Sequence, residues 1–217
     1  MKELHWAQQA AYPVLLALQL LPLFGGVLLY LLRRQPWAEN LGRAFFIAEL
    51  LLAIDLYRHI DAMSPALQLA ERADWLLYHT GADGVTALFV LVTALIGLLL
   101  SLYQPARERL GHGALQMLIL LAQSALMAML VTTNLLWFAA ASALELVIVA
   151  VLLRIWVSGD AGDLAYARFI QYQGFGLLLF VAGAVVLAWG HADATGGSWS
   201  FDLHDLILTP PLGKFQS

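Results

Sequence analysis

The sequence predicts an all-α, polytopic membrane bundle of about six transmembrane helices, occupying residues 1–217 as a single membrane domain. Three observations carry this. Apolar residues make up 61% of the chain and charged residues 12%, whereas a soluble domain carries about 25% charged residues. The mean hydropathy is +0.77. The apolar residues also fall in runs near the roughly 20 residues that a helix needs to cross a bilayer.

The first run, from Ala10 to Leu32, is too long for the apolar part of a signal peptide and ends in Arg33 and Arg34, so it reads as a span over about 11–32. The second, about 42–58, is short and turns polar in "AIDLYRHI". The third covers about 84–104. Gly113 to Val157 is one apolar block of twice the needed length. It divides at "VTTNLL", where Thr132, Thr133 and Asn134 suit a tight polar turn, into spans over about 113–132 and 135–156. The sixth span is about 167–189. Between the second and third, "DAMSPALQLAERADWLLYHTGADG" reads as a short interfacial helix with Ser64 as N-cap and Pro65 as its first residue. The tail "HADATGGSWSFDLHDLILTPPLGKFQS" reads as a polar loop, a weak amphipathic segment, then Pro210-Pro211.

Lysine and arginine set the orientation. Arg33, Arg34, Arg43, Arg107, Arg109, Arg154 and Arg168 fall on one side, and Lys2, Arg58, Arg72 and Lys214 on the other. The positive-inside rule then puts both termini outside the cytoplasm, which is periplasmic in a bacterial inner membrane. Tryptophans near span ends, such as Trp37, Trp75, Trp137 and Trp189, suit an aromatic belt.

Composition excludes several functions. With a net charge of −4 there is no basic stripe for nucleic acid. With no cysteine there is no disulfide, thiolate metal site or thiol nucleophile. The six histidines have no metal-ligand spacing to one another. No Gly-rich phosphate loop or hydrolase motif appears, so no cofactor is assigned and the chain is not read as catalytic by itself.

Intramembrane polar groups are the candidates for function. Glu145 lies near the centre of the fifth span, where a carboxylate costs about 2.5–3.5 kcal/mol. Such a group is either a proton relay or a neutral glutamic acid packed between helices, and the relay is favoured. Glu49 is the deeper of two acids on the second span, the other being Asp55 near its end. For both, a purely structural role is favoured. Gln116 and Gln123 are seven residues apart on the fourth span and share a face, which suits inter-helix hydrogen bonding more than a water path. The proton-path candidates are therefore Glu145, Glu49 and Gln123. Arg154 snorkels at the end of the fifth span. Gly174, Gly176 and Gly183 read as sites of close helix packing on the sixth.

Three ordered stretches resemble one family. "YHTGADGVTALFVLVTALIG" (Tyr78–Gly97) is similar to the entry into the third helix of the M-type antiporter-like subunit of respiratory complex I. "YARFIQYQGFG" (Tyr166–Gly176) resembles the entry to its sixth helix, with Arg168 where Lys is usual. "ATGGSWSFDLHDLILTP" resembles the loop before its seventh. The likeness covers most of residues 75–210.

The resemblance implies a bundle with two inverted five-helix repeats, each a proton half-channel whose fifth-helix Glu pairs with a Lys on the seventh helix. Glu145 is the counterpart of that Glu. However, Leu144 precedes it where the family has an aromatic, no Pro follows within 134–157, and ungapped alignment places the family's Glu at Ala143. Two residues are about 200° of helix rotation.

The resemblance further implies a chain ending before the seventh helix. It would act as a membrane-arm subunit of a proton-translocating NADH:quinone oxidoreductase, contributing part of a half-channel, with quinone and NADH chemistry left to other subunits. Two alternatives stand beside this. One is a non-pumping scaffold or truncated subunit. The other is a membrane subunit of a related cation/proton antiporter, hydrogenase or inorganic-carbon uptake complex. In each case the partners are other membrane subunits and the lipid bilayer, not nucleic acid.

Overall fold

The computed structural model describes residues 12–61, 64, 66–73, 78–102, 113–156 and 160–209. Pro65, Trp75, Arg107, Arg109, Pro210, Pro211 and both lysines lie outside them. Among the described residues there are seven helices: α1 (Val14–Leu32), α2 (Ala38–His59), α3 (Gly84–Ser101), α4 (Ala114–Val131), α5 (Leu135–Trp156), α6 (Asp160–Thr195) and α7 (Leu203–Leu208). Two antiparallel strands, β1 (Gln68–Ala73) and β2 (Tyr78–Ala82), stand between α2 and α3.

Five helices, α1 and α3 to α6, are long and apolar enough to cross a membrane. The sixth expected span, α2, is 22 residues long but carries Glu39, Arg43, Glu49, Asp55 and Arg58. It packs against α1 and α3, and its length of about 33 Å is enough to span. The chain is an integral membrane bundle.

The way the helices bury themselves fits a lipid surround. On α3 the buried residues are Ala87, Val90, Ala94, Gly97 and Ser101, a stripe of mostly small side chains. Its larger residues Val85, Leu88, Phe89, Ile96 and Leu99 are exposed. Small residues at helix contacts and large apolar ones outside are the membrane arrangement. The central helix is α4, which packs on α1, α3 and α5 and also touches α2. By contrast, α6 packs principally on α5.

One end of the bundle, the hairpin face, is knitted together by polar contacts. Glu71 on β1 accepts hydrogen bonds from the free Leu15 and Leu16 N–H groups at the start of α1, both at 2.9 Å, satisfying donors that a helix end leaves open. Thr133 N–H donates to the His79 carbonyl at 2.9 Å, Leu135 N–H to the Phe201 carbonyl at 2.9 Å, and Leu203 N–H to the Thr133 carbonyl at 2.9 Å. The side chains of His79 and Asp202 also pair. Thus the α4–α5 turn bridges β2 on one side and the segment before α7 on the other.

Four sequence expectations change. The segment expected as a short interfacial helix forms the β-hairpin instead: pairing satisfies its backbone and brings Glu71 to the α1 terminus. The sixth span, expected over 167–189, is the 36-residue α6. Its polar ends remain helical beyond the apolar stretch, because a helix need not stop where hydrocarbon stops. Gly174, Gly176 and Gly183 have nothing within 4 Å of where a Cβ would stand. Close packing falls instead to Gly25 and Gly26 on α1, Gly42 on α2 and Gly97 on α3. The amphipathic tail segment is the six-residue α7, none of it buried. The turn at Thr132–Asn134 is where it was expected: Asn134 caps α5, its Oδ1 accepting from Leu136 N–H at 2.9 Å.

Candidate intramembrane carboxyl sites

Glu49 lies midway along α2 and is fully buried. Among the described residues neither carboxyl oxygen has a hydrogen-bond partner. The Gln123 amide of α4 stands alongside, outside hydrogen-bonding geometry. Gln123 is itself fixed: its Nε2 donates to the Thr93 carbonyl of α3 at 3.1 Å. It fits there because Gly97 has no side chain; a Cβ on Gly97 would fall 1.8 Å from Gln123 Oε1. Gln116, one repeat earlier on α4, packs in the same way against Gly42, where a Cβ would meet Gln116 Cβ at 2.8 Å. Each glutamine of α4 therefore occupies a notch made by a glycine on a neighbouring helix. In a medium without water, a buried polar group with no partner costs several kcal/mol, so an orphaned Glu49 carboxyl calls for an explanation beyond packing.

Glu145 stands in a different place. It lines a cleft of about 410 Å³ between α5 and α6. Met129, Phe138, Phe169 and Phe180 are among its apolar walls, with the Phe138 and Phe180 ring centroids 5.0 Å apart, and Ser142 and Gln173 are the polar neighbours. Ser142 Oγ is occupied by the Phe138 carbonyl of its own helix at 2.8 Å. Glu145 is half-buried, and its Oε2 has no hydrogen-bond partner among the described residues. The cleft wall on α6 includes Gly176. Neither Glu49 nor Gln123 lines this cleft. The structure thus brings Glu49 and Gln123 together and leaves Glu145 apart.

The remaining polar candidates have plain roles. Asp55, at the end of α2, accepts from the Tyr12 hydroxyl at 2.7 Å. Arg154 pairs with Asp163 at the start of α6 and lies over the Tyr166 ring, 5.6 Å from its centroid. Asp83, in the Tyr78–Gly97 stretch, is the N-cap of α3, its Oδ1 accepting from Thr86 N–H at 2.7 Å. That bond holds its carboxyl below the usual carboxylate range.

Sequence reasoning passed over Gln19, Tyr78 and Glu71. Gln19 is buried on α1 and donates to the Leu15 carbonyl at 3.0 Å and to the Tyr78 hydroxyl at 2.6 Å. Its signal was present, as the one amide within "VLLALQLLPLF". Glu71 had none, because its role arises only when the hairpin folds onto α1. Burial pushes the Glu71 carboxyl up, against the pull of the two N–H groups it accepts from.

No family model matches the chain. It is 30% identical over 212 residues to NAD(P)H-quinone oxidoreductase chain 4 2 of Microcystis aeruginosa, covering 91% of this chain and 36% of that protein. It is 26% identical over 200 residues to F(420)H(2) dehydrogenase subunit M of Methanosarcina mazei, covering 90% and 40%. Its fold matches a chain of respiratory complex I from Thermus thermophilus with a TM-score of 0.69 and 25% identity, over 90% of this chain and 39% of that one. It also matches a chain of the membrane-bound sulfane sulfur reductase, an archaeal respiratory membrane complex, with a TM-score of 0.71 and 16% identity, over 93% and 41%.

The chain therefore spans well under half the length of the relatives it matches. The resemblance to an M-type antiporter-like subunit holds along nine-tenths of the chain.

Proposed function

We infer that the chain is the N-terminal six-helix part of an M-type antiporter-like subunit, and that it contributes part of a proton half-channel to the membrane arm of a complex I-type NADH:quinone oxidoreductase. The redox chemistry belongs to other subunits, which are also its partners in the bilayer. It sits in a bacterial inner membrane with both termini and the hairpin face periplasmic. The arginines Arg33, Arg34 and Arg154 at the opposite end of the bundle support that orientation.

The observation that carries the reading is the pair of spanning-helix carboxyls, Glu49 and Glu145, each with an oxygen that no group among the described residues satisfies. Intramembrane acids are costly and mark ion or proton pathways. A relay also needs a site free to take and release a proton, and a carboxyl locked into hydrogen bonds is poorly suited to that.

A second reading, the non-pumping scaffold, is favoured by one feature: Gly174, Gly176 and Gly183 of α6 face open space, Gly176 in the wall of the Glu145 cleft, where a neighbouring helix could pack. Measuring proton translocation by the assembled complex in sealed vesicles separates the two. Under the half-channel reading, Glu145→Gln leaves assembly intact and lowers translocation. Under the scaffold reading, Glu145→Gln has no effect on translocation while Glu145→Ala impairs assembly.

A further inference from the structure

Five polar side chains follow one another from the hairpin face into the bundle. Tyr78 of β2 bonds through its hydroxyl to Gln19 Nε2 at 2.6 Å. Ser124 Oγ of α4 donates to the Gln19 backbone carbonyl at 2.8 Å. Gln123 is the next residue on α4 and stands beside Glu49. Gln19, Ser124, Gln123 and Glu49 are all buried, at 9%, 6%, 3% and 0% exposure.

Their depths increase in order. Helix rise places Gln19 about 8 Å from the start of α1, Ser124 about 11 Å and Gln123 about 12 Å from the end of α4, and Glu49 about 15 Å from the end of α2. All three helix ends lie at the hairpin face. The surroundings are apolar: Val14, Leu15, Leu18, Ala53, Leu56, Val90 and Met127 belong to one buried cluster. An apolar residue at any of these four positions would avoid the cost of burying polar atoms. Structural hydrogen bonds account for Gln19 and Ser124, but they leave Glu49, at the inner end, with no partner among the described residues.

We propose that Glu49 exchanges protons with the hairpin face along this seam of Tyr78, Gln19, Ser124 and Gln123, by way of water admitted between α1 and α4. The proposal rests on the half-channel reading and gives it an entrance separate from the Glu145 cleft. The chemistry is reversible transfer of one proton between water and the Glu49 carboxyl, with only O–H bonds made and broken. The amides and hydroxyls bind and orient the water. Glu71 lies at the mouth, where it lines a cleft of about 160 Å³ and holds the first N–H groups of α1.

The absence of cysteine supplies the test. Gln19→Cys and Ser124→Cys, introduced singly into the assembled complex in sealed vesicles, are treated with a small membrane-impermeant thiol reagent from each side. Both positions are expected to react from the hairpin face and not from the opposite face. In the same membranes, Gln19→Leu and Glu49→Gln are each expected to lower proton translocation severalfold, and the double variant to do no worse than Glu49→Gln alone. Ser124→Ala, a smaller change, serves if Gln19→Leu fails to assemble.

Reaction only from the opposite face, or at neither position, overturns the seam. So does full translocation in Gln19→Leu alongside a defect in Glu49→Gln, which would leave the half-channel reading standing. Full translocation in Glu49→Gln alongside a defect in Glu145→Gln removes Glu49 from the path. Full translocation in both carboxyl variants overturns the half-channel reading itself.

Discussion

At the scale of single residues, each polar side chain of this protein has a distinct chemical situation. Asp83 is engaged and charged, because the Thr86 N–H stabilises its carboxylate. Its value is held below the ordinary one, so the cap contributes in full above the unperturbed pKa of about 3.9 and is lost as pH falls through the lowered value. Asp83→Ala should cost about 1 kcal/mol of stability in detergent. Amide exchange at the start of α3 should speed up in that variant, and in the parent protein only under strongly acid conditions. Unchanged exchange at Thr86 in Asp83→Ala would refute the cap. Glu49 and Glu145 are the opposite case, carboxyls with unanswered oxygens. Glu145→Gln keeps shape and polarity but removes titration, and it should reduce translocation without loss of the assembled complex.

At the scale of elements, helix contacts depend on glycines that accept large partners. Gly97→Ala would drive its methyl into Gln123. Overpacking of this kind typically costs about 1–3 kcal/mol. Gly97→Ala should therefore lower the thermal midpoint in detergent, while Gly174→Ala and Gly183→Ala should leave that of the isolated chain unchanged, since nothing stands within 4 Å of either. An equal loss in all three would refute the distinction.

Five of the six expected spans, the Thr132–Asn134 turn and the central Glu145 were legible in the sequence, because apolar run length and a lone charge are local signals. Which glycines pack was not. Gly174-x-Gly176 looks more like a contact motif than the isolated Gly97, and only the arrival of Gln123 distinguishes them. The hairpin was hidden for a similar reason. "QLAERA" has helix-forming composition, and its strand state is fixed by β2 and by the α1 terminus that Glu71 caps. Glu49 with Gln123 was half legible: both were singled out as polar residues in spans, but they lie 74 residues apart and their meeting depends on how α2 packs across α4.

At the scale of the whole molecule, the arginine distribution and the knitted hairpin face define two unlike ends. Reporter fusions at Arg107 and Ser198 should fall on opposite sides of the membrane, with Arg107 cytoplasmic; a cytoplasmic Ser198 would refute the topology. The exposed face of α6, with Tyr172, Phe175, Leu178 and Trp189 each more than 60% exposed, leads to a further expectation. The chain should co-purify with other membrane subunits, and its recovery from membranes free of any of them in mild detergent would count against that. The hairpin face also imposes an order on biogenesis. As the polypeptide leaves the ribosome, α1 enters the bilayer with its leading N–H groups open, and the carboxylate that closes them is not synthesised until residue 71. The turn between α4 and α5 waits longer still, since Leu135 N–H and the Thr133 carbonyl find their partners only at residues 201 and 203. Insertion of the spanning helices and closure of the hairpin face are thus separate events in time. A nascent chain arrested before residue 200 should hold its spans in the membrane with that end still open to proteases.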